Sequence, residues 1–327
     1  MSFAISKISY FLPSLSEDLN DLKSSNPDWD ITKIYKKTGI NRRWIASKEE
    51  TASDLALNAA NKMFETIPEV KQEIELLIFV SQTPDYFLPS TACVLQSKIG
   101  LRKDIMAFDI NLGCSGFIYG LAVVAGLFES ELIKSALLIC ADTYTKFIPK
   151  NDRTNRPIFS DGAAVILLEK TNKKFIGPFI FGTDGTKSEL LIVKNGAMRS
   201  LSEKKAENIK LEMDGSGVFL FTINEIPMAI NQLLHKAKLE IKDIDLIVFH
   251  QASKFVIDNL IDKLSLNPKK VFTNYQEIGN TISASIPIAL QDAYTSGFLK
   301  NGDKIMAVGF GVGMSWGVTI INWNFNN

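Results

Sequence analysis

The chain has 327 residues, 46% apolar and 22% charged, with Lys+Arg and Asp+Glu equal at 36 each. That balance fits a globular protein with a large core, and it supplies no net positive field to draw in nucleic acid or an anionic membrane. Only His235 and His250 are histidines, and Cys93, Cys114 and Cys140 have no paired spacing, so no metal site is expected and the sparse cysteines suit a reducing cytoplasm.

The opening MSFAISKISYFLP lacks the basic and long apolar regions of a secretory signal and reads as a strand. A polar stretch over 15–50 follows. A helix is expected from about 51 to 66, with Thr51 or Ser53 as its N-cap and Leu55, Ala56, Ala59 and Met63 on one face. Apolar runs then alternate with helix-length amphipathic segments. They are ELLIFV (75–80), the run over 117–128, SALLICA (135–141), AAVILLEK (163–170), DLIVFH (245–250) and KIMAVGFG (304–311). This alternation predicts an α/β protein with buried central strands. The apolar stretches fall short of the ~20 residues needed to span a membrane. No Pro/Gly/Ser-rich linker divides the chain. The seam is placed where ILLEKTNKKFIGP turns polar, giving halves 1–172 and 173–327.

Those halves resemble each other. IELLIF (74–79) matches IDLIVF (244–249), 170 positions on, and GCSGFIYGLAVVAGLF from Gly113 can be set against GNTISASIPIALQDAY from Gly279, 166 positions on. Each is followed by a lysine and an apolar strand, KSALLICAD from 134 and KIMAVGFG from 304. Two matches in one order at nearly one offset indicate a duplication, and a crevice between such halves is a natural site.

The match sets Cys114 opposite Asn280, each just after a glycine at a strand-to-helix turn. At a helix N-terminus the macrodipole favours a thiolate and backbone N–H groups can hold an oxyanion; the alternative is a small core cysteine. Cys93 and Cys140 lie within apolar runs and read as core. His250 ends a strand, free to enter a cleft or to be satisfied at a sheet edge. His235 sits among lysines on a helix and reads as a surface or half-buried position. Asn280 reads locally as a turn or cap. GFGVGMSWG (309–317) is GxGxG rather than GxGxxG and has no following βαβ unit, so it reads as a glycine turn offering N–H groups, not a dinucleotide site.

Cys114 in GCSG, His250 in HQAS and Asn280 in GNTISASIP resemble, in order and approximate spacing, the Cys-His-Asn set of the β-ketoacyl-acyl-carrier-protein synthase III family of the thiolase superfamily. KTGINRRWIA (37–46), FLPSTACVLQSKIG (87–100, the family's dimer-side segment), IFSDGAAVILLE (158–169) and FGVGMSWG (310–317) are similar to further landmarks, so the resemblance covers nearly the whole chain. It implies a thiolase-like five-layered αβαβα fold from two pseudo-duplicated halves, a cytoplasmic homodimer, and acyl carrier protein as partner. It implies no cofactor beyond acyl-coenzyme A and malonyl-carrier as substrates, and no membrane or nucleic acid. The implied chemistry is decarboxylative Claisen condensation, in fatty-acid initiation or a specialised acyl pathway. Cys114 is acylated. His250 and Asn280 stabilise the enolate formed as CO2 leaves. The N–H groups of Cys114 and Val312 hold the oxyanion. Phe310 matches an aromatic of the decarboxylation step, and Phe159 one near the acyl pocket. The alternatives are an acyltransferase passing the acyl group from Cys114 to an alcohol or amine, and a catalytically silent carrier-binding subunit.

The chain departs from the family pattern at the substrate arm. Where the best-known members carry a Trp and an Arg before TGI, counting gives Lys33 and Lys37, with Trp29 four residues early. After HQA, Ser253 and Phe255 replace an Asn and a basic residue, with Lys254 between them. Arg153 matches a nucleotide-contacting arginine. Lys37, Arg153 and Ser253 are the expected contacts to coenzyme A or the carrier arm, and the departures leave open a longer primer or one delivered by a carrier. Lys254, Lys263, Lys269 and Lys270 form either a basic patch for an acidic carrier or a solvated surface.

Overall fold

The structure is a computed structural model that describes residues 3–173, 175–200 and 209–325. Its strands are β1 (Phe3–Phe11), β2 (Leu15–Asp18), β3 (Arg42–Ile45), β4 (Leu76–Val80), β5 (Met106–Ile110), β6 (Ser135–Asp142), β7 (Gly162–Lys170), β8 (Ile176–Thr183), β9 (Leu191–Val193), β10 (Leu211–Met213), β11 (Leu246–Phe249), β12 (Lys304–Gly311) and β13 (Ser315–Asn322). Its α-helices are α1 (Leu19–Ser25), α2 (Ile31–Thr38), α3 (Ala52–Phe64), α4 (Thr91–Ile99), α5 (Gly116–Glu129), α6 (Gly215–Ala237), α7 (Lys254–Lys263), α8 (Tyr275–Ile278) and α9 (Ser285–Thr295).

The repeat seen in the sequence is a repeat of topology. One sheet runs β1-β7-β6-β4-β5 and the other β8-β13-β12-β11. In each, two parallel strands (β4 with β6, β11 with β12) are followed by antiparallel pairings, β6–β7–β1 and β12–β13–β8. A parallel bridge between Ile247 and Val271 stands where β5 pairs in the first sheet.

Strand alternation sorts the core into layers. On β6, Ala136, Leu138 and Cys140 face a central core, while Leu137, Ile139 and Ala141 face an outer one. On β12, Ile305 and Ala307 face the central core and Met306, Val308 and Phe310 the other outer one. Helices α5 and α9 fill the middle; α3 and α4 cover the first sheet, and α6 and α7 the second. The result is five layers, αβαβα. The two halves share the middle core, so neither sheet is buried on both faces without the other half. The run over 117–128 is the buried helix α5, apolar because sheets lie on both sides of it.

Helix α3 starts at Thr51 with a capping box to Asp54 and buries the predicted Leu55, Ala56, Ala59 and Met63. Two expectations are corrected. Cys93 is exposed, because α4 turns Thr91, Ala92, Leu95 and Ile99 inward and Cys93 away. Helix α6, at 23 residues, is the one helix among the described residues long and apolar enough to cross a membrane. Here Phe221, Ile226, Ala229, Ile230 and Leu233 form a stripe on the second sheet, the pattern of a helix packed on one side.

Phe79 is wholly buried on the outer face of β4. Phe79→Ala should cost about 3–5 kcal/mol, the usual price of emptying an aromatic core site, read as a lower urea midpoint with the slope unchanged.

Candidate active site

Both central helices start at the same place. Cys114 ends the loop from β5 and is 5% exposed; α5 begins two residues later. Asn280 follows α8 and precedes α9. Gly279 adopts φ +74, and a Cβ there would lie 2.7 Å from that of Ser160, so only glycine lets the chain lie flat against Phe159. Asn280 then pairs by its backbone with the segment carrying Phe159, just before β7: its N–H donates to Ile158 O (3.0 Å), and its C=O accepts from Ser160 N–H (2.9 Å). Its Oδ1 accepts from Ile282 N–H at 3.0 Å, which leaves Nδ2 as the end available to the cavity.

His250 leaves β11 with its N–H on Val308 O (2.7 Å). Nδ1 lies 2.7 Å from Ser285 Oγ at the start of α9. The ring stands edge-on to Phe310, centroids 5.7 Å apart at 89°. Cys114, His250, Asn280, Phe159 and Phe310 all line one cavity of about 970 Å³. Leu191, which also lines the cavity, and Leu211 belong to one apolar cluster with Cys114 and Phe159.

The electrostatics differ from the sequence expectation for a thiolate. Burial, with the Asp142 carboxylate nearby, pushes the Cys114 thiol up to about 12, while backbone N–H groups of Val312 and Cys114 pull the other way. The resting thiol is therefore protonated at neutral pH. Burial lowers His250 to about 3, opposed by a backbone hydrogen bond at Ile282, so the ring is neutral. The two N–H groups that reach the sulfur are those the resemblance assigns to the oxyanion. Gly311, at φ +155, makes the approach possible, since a Cβ there would sit 2.9 Å from Sγ.

The remaining expected residues divide. Lys37, Arg153 and Ser253 line the outer cavity, as do Lys33 and Phe255. Ser253 also caps α7 by accepting from Val256 N–H. Phe255 packs on Phe219 in a tilted pair, centroids 4.8 Å apart. Trp29 is buried with Leu22 and Ile34, away from the cavity. In the lysine patch, Lys254 is paired with Asp258 and Lys270 donates to the carbonyls of Lys242 and Ile244, so half of its charge is engaged locally. His235 is exposed in the last turn of α6. Sequence reasoning missed the polar groups behind the site: Asp142, Gln82, Tyr144, Ser283 and Ser285. The one signal was an aspartate ending the otherwise apolar run SALLICA.

Two outcomes follow. Gly311→Ala should fold but slow Cys114 acylation by roughly 10²-fold, the cost of a displacement of about 1 Å, read by intact-mass time courses. Alkylation of Cys114 by iodoacetamide should keep accelerating at a pH where free cysteine has levelled off.

The descriptions "3-Oxoacyl-[acyl-carrier-protein (ACP)] synthase III" and, for its C-terminal part, "synthase III C terminal" match residues 108–185 and 234–323, which hold Cys114 and then His250 and Asn280. The chain is 37% identical over 319 residues to a β-ketoacyl-[acyl-carrier-protein] synthase III of Clostridioides difficile strain 630, covering 96% of each chain. A 2.1 Å crystal structure of a 3-oxoacyl-(acyl-carrier-protein) synthase III superposes with a TM-score of 0.95 at 37% identity, covering 99% of this chain and 100% of the other. One from Burkholderia xenovorans LB400 superposes with 0.92 at 32% identity, covering 98% and 94%. With the five-layered fold and this cavity, they establish that the chain belongs to the β-ketoacyl-acyl-carrier-protein synthase III family.

Proposed function

We propose that this chain loads an acyl primer onto Cys114 and condenses it with malonyl-acyl-carrier protein, releasing CO2 and a β-ketoacyl-carrier product. The observation that carries the reading is the convergence of a nucleophile, two backbone N–H groups and two side-chain donors on one largely apolar cavity.

In the first step Sγ attacks the primer thioester; the Cys114 proton leaves with the departing thiol, so the exchange balances without another reactant. In the second, the C–COO⁻ bond of malonyl-carrier breaks, and its electron pair becomes an enolate whose oxygen needs donors. Asn280 Nδ2 is one. His250 Nε2 is the other, in the tautomer where the Ser285 hydroxyl donates to Nδ1, an arrangement that Gln251 N–H pointing at Ser285 Oγ from 3.5 Å allows. A neutral imidazole is the right form for this task, since it donates without bringing a charge. The enolate carbon then attacks the acyl group and expels the Cys114 thiolate. Phe310 meets the imidazole edge-on.

Lys33, Lys37 and Arg153 line the mouth with no ion pair among the described residues, which suits the phosphates of a coenzyme A or carrier arm. The reading includes a cytoplasmic homodimer: Tyr86, Phe87 and Leu88 are 59%, 70% and 82% exposed, an apolar run suited to pairing with a second copy.

Given malonyl-carrier and a panel of acyl thioesters, the protein should release CO2 and form a β-ketoacyl product. Acylation without CO2, with transfer to an alcohol or amine, would make it an acyltransferase instead. Intact mass should show one acyl adduct, kept in Cys93→Ala and Cys140→Ala and lost in Cys114→Ala. Asn280→Ala should still acylate but condense on the order of 10²–10³ more slowly, the usual loss for one such donor. Light scattering should give twice the monomer mass, and Phe87→Asp should reduce it to one.

A further inference from the structure

Asp142 ends β6 with its side chain wholly buried and no cation paired to it among the described residues. Neutral donors satisfy it instead, and they come from both halves. Oδ1 accepts from Gln82 N–H (2.8 Å) and Ser81 Oγ (3.2 Å), with Thr83 Oγ1 at 3.5 Å, all from the segment after β4. Oδ2 accepts from Ser283 Oγ (2.5 Å) and Ser283 N–H (3.3 Å), three residues beyond Asn280. Gln82 in turn accepts from Tyr144 Oη at 2.5 Å. Its Oε1 lies where a Cβ on Gly113 would be 2.5 Å away, so the same carboxylate anchors the wall behind Cys114.

We propose that Asp142 is a positioning residue that holds the Asn280 loop in register with the Cys114 turn, so that enolate and acyl-cysteine meet. The proposal rests on the condensation reading of this site. Asp142 touches no substrate. The donor set suits a carboxylate, which offers acceptors at both oxygens, whereas an amide of the same shape would turn its NH2 onto the donors of one half. Such a group is costly to bury; burial pushes it up to about 7 against the pull of its hydrogen bonds. A carboxylate here also makes the Cys114 thiol harder to ionise. The other titratable groups facing it are Cys140 and Tyr144, and His250, across the site, is neutral.

Asp142→Asn separates this role from simple support of the fold. Acylation of Cys114 should persist within a few-fold. CO2 release and condensation should fall roughly 10-fold to 100-fold, the scale of a misplacement of about 1 Å. The pH profile of Cys114 alkylation should move to lower pH, because the neighbouring charge is gone. Ser283→Ala keeps the carboxylate and removes one tie: condensation should fall by a smaller factor with the alkylation profile unmoved. Wild-type condensation in Asp142→Asn overturns the proposal, as does an equal loss of acylation and condensation, or an unmoved profile. Should Asp142→Asn fail to fold, wild-type condensation in Ser283→Ala overturns it alone. Failure of the unmodified protein to release CO2 would overturn the condensation reading instead.

Discussion

Two helices with almost no polar face dictate where the chemistry can be. Helix α5 buries Phe117, Ile118, Leu121, Val124, Ala125 and Phe128, and α9 buries Ile286, Ile288, Ala289, Leu290 and Ala293. A helix apolar nearly all round must be enclosed, and here it lies between two sheets. Each half supplies one sheet and one such helix, so each half lacks a lid that the other provides. Once the middle layer closes, the N-terminal turns of α5 and α9 meet at one end, bringing Cys114 beside Asn280 and His250.

The centre formed this way is poor in charge. Cys114 is protonated, His250 is neutral, and the Asp142 carboxylate behind them is held by neutral donors. In an environment of low dielectric, a charge that appears only during reaction feels each aimed N–H group strongly. On the proposed reading, the aimed N–H groups serve an enolate and an oxyanion that exist only during reaction.

Centre and mouth are built differently. The centre is fixed by backbone pairing and buried contacts. The mouth combines the exposed cations Lys33, Lys37 and Arg153 with the tilted ring pair of Phe219 and Phe255. Trp29 is committed to packing on Leu22 and Ile34. Catalytic groups are constrained by a common transition state, while the mouth answers only to the shape and charge of whatever delivers the substrate.

The sequence by itself determined the duplication, the strand–helix alternation, and the residues Cys114, His250 and Asn280, because period and spacing are local properties that survive without coordinates. Offsets of 170 and 166 positions pointed to two sheets and their paired helices. Sequence could not reveal which way α4 turns Cys93, or that the long apolar helix α6 lies on a sheet, since both depend on what packs against one face. Least legible were the ionisation of Cys114 and the role of Asp142. A thiol's proton affinity is set by burial and by a carboxylate 28 positions away in the chain. The donors of that carboxylate, Gln82 and Ser283, meet only when the two halves close on a shared core; that closure, a property of tertiary packing alone, decided how the residues named by the sequence act together.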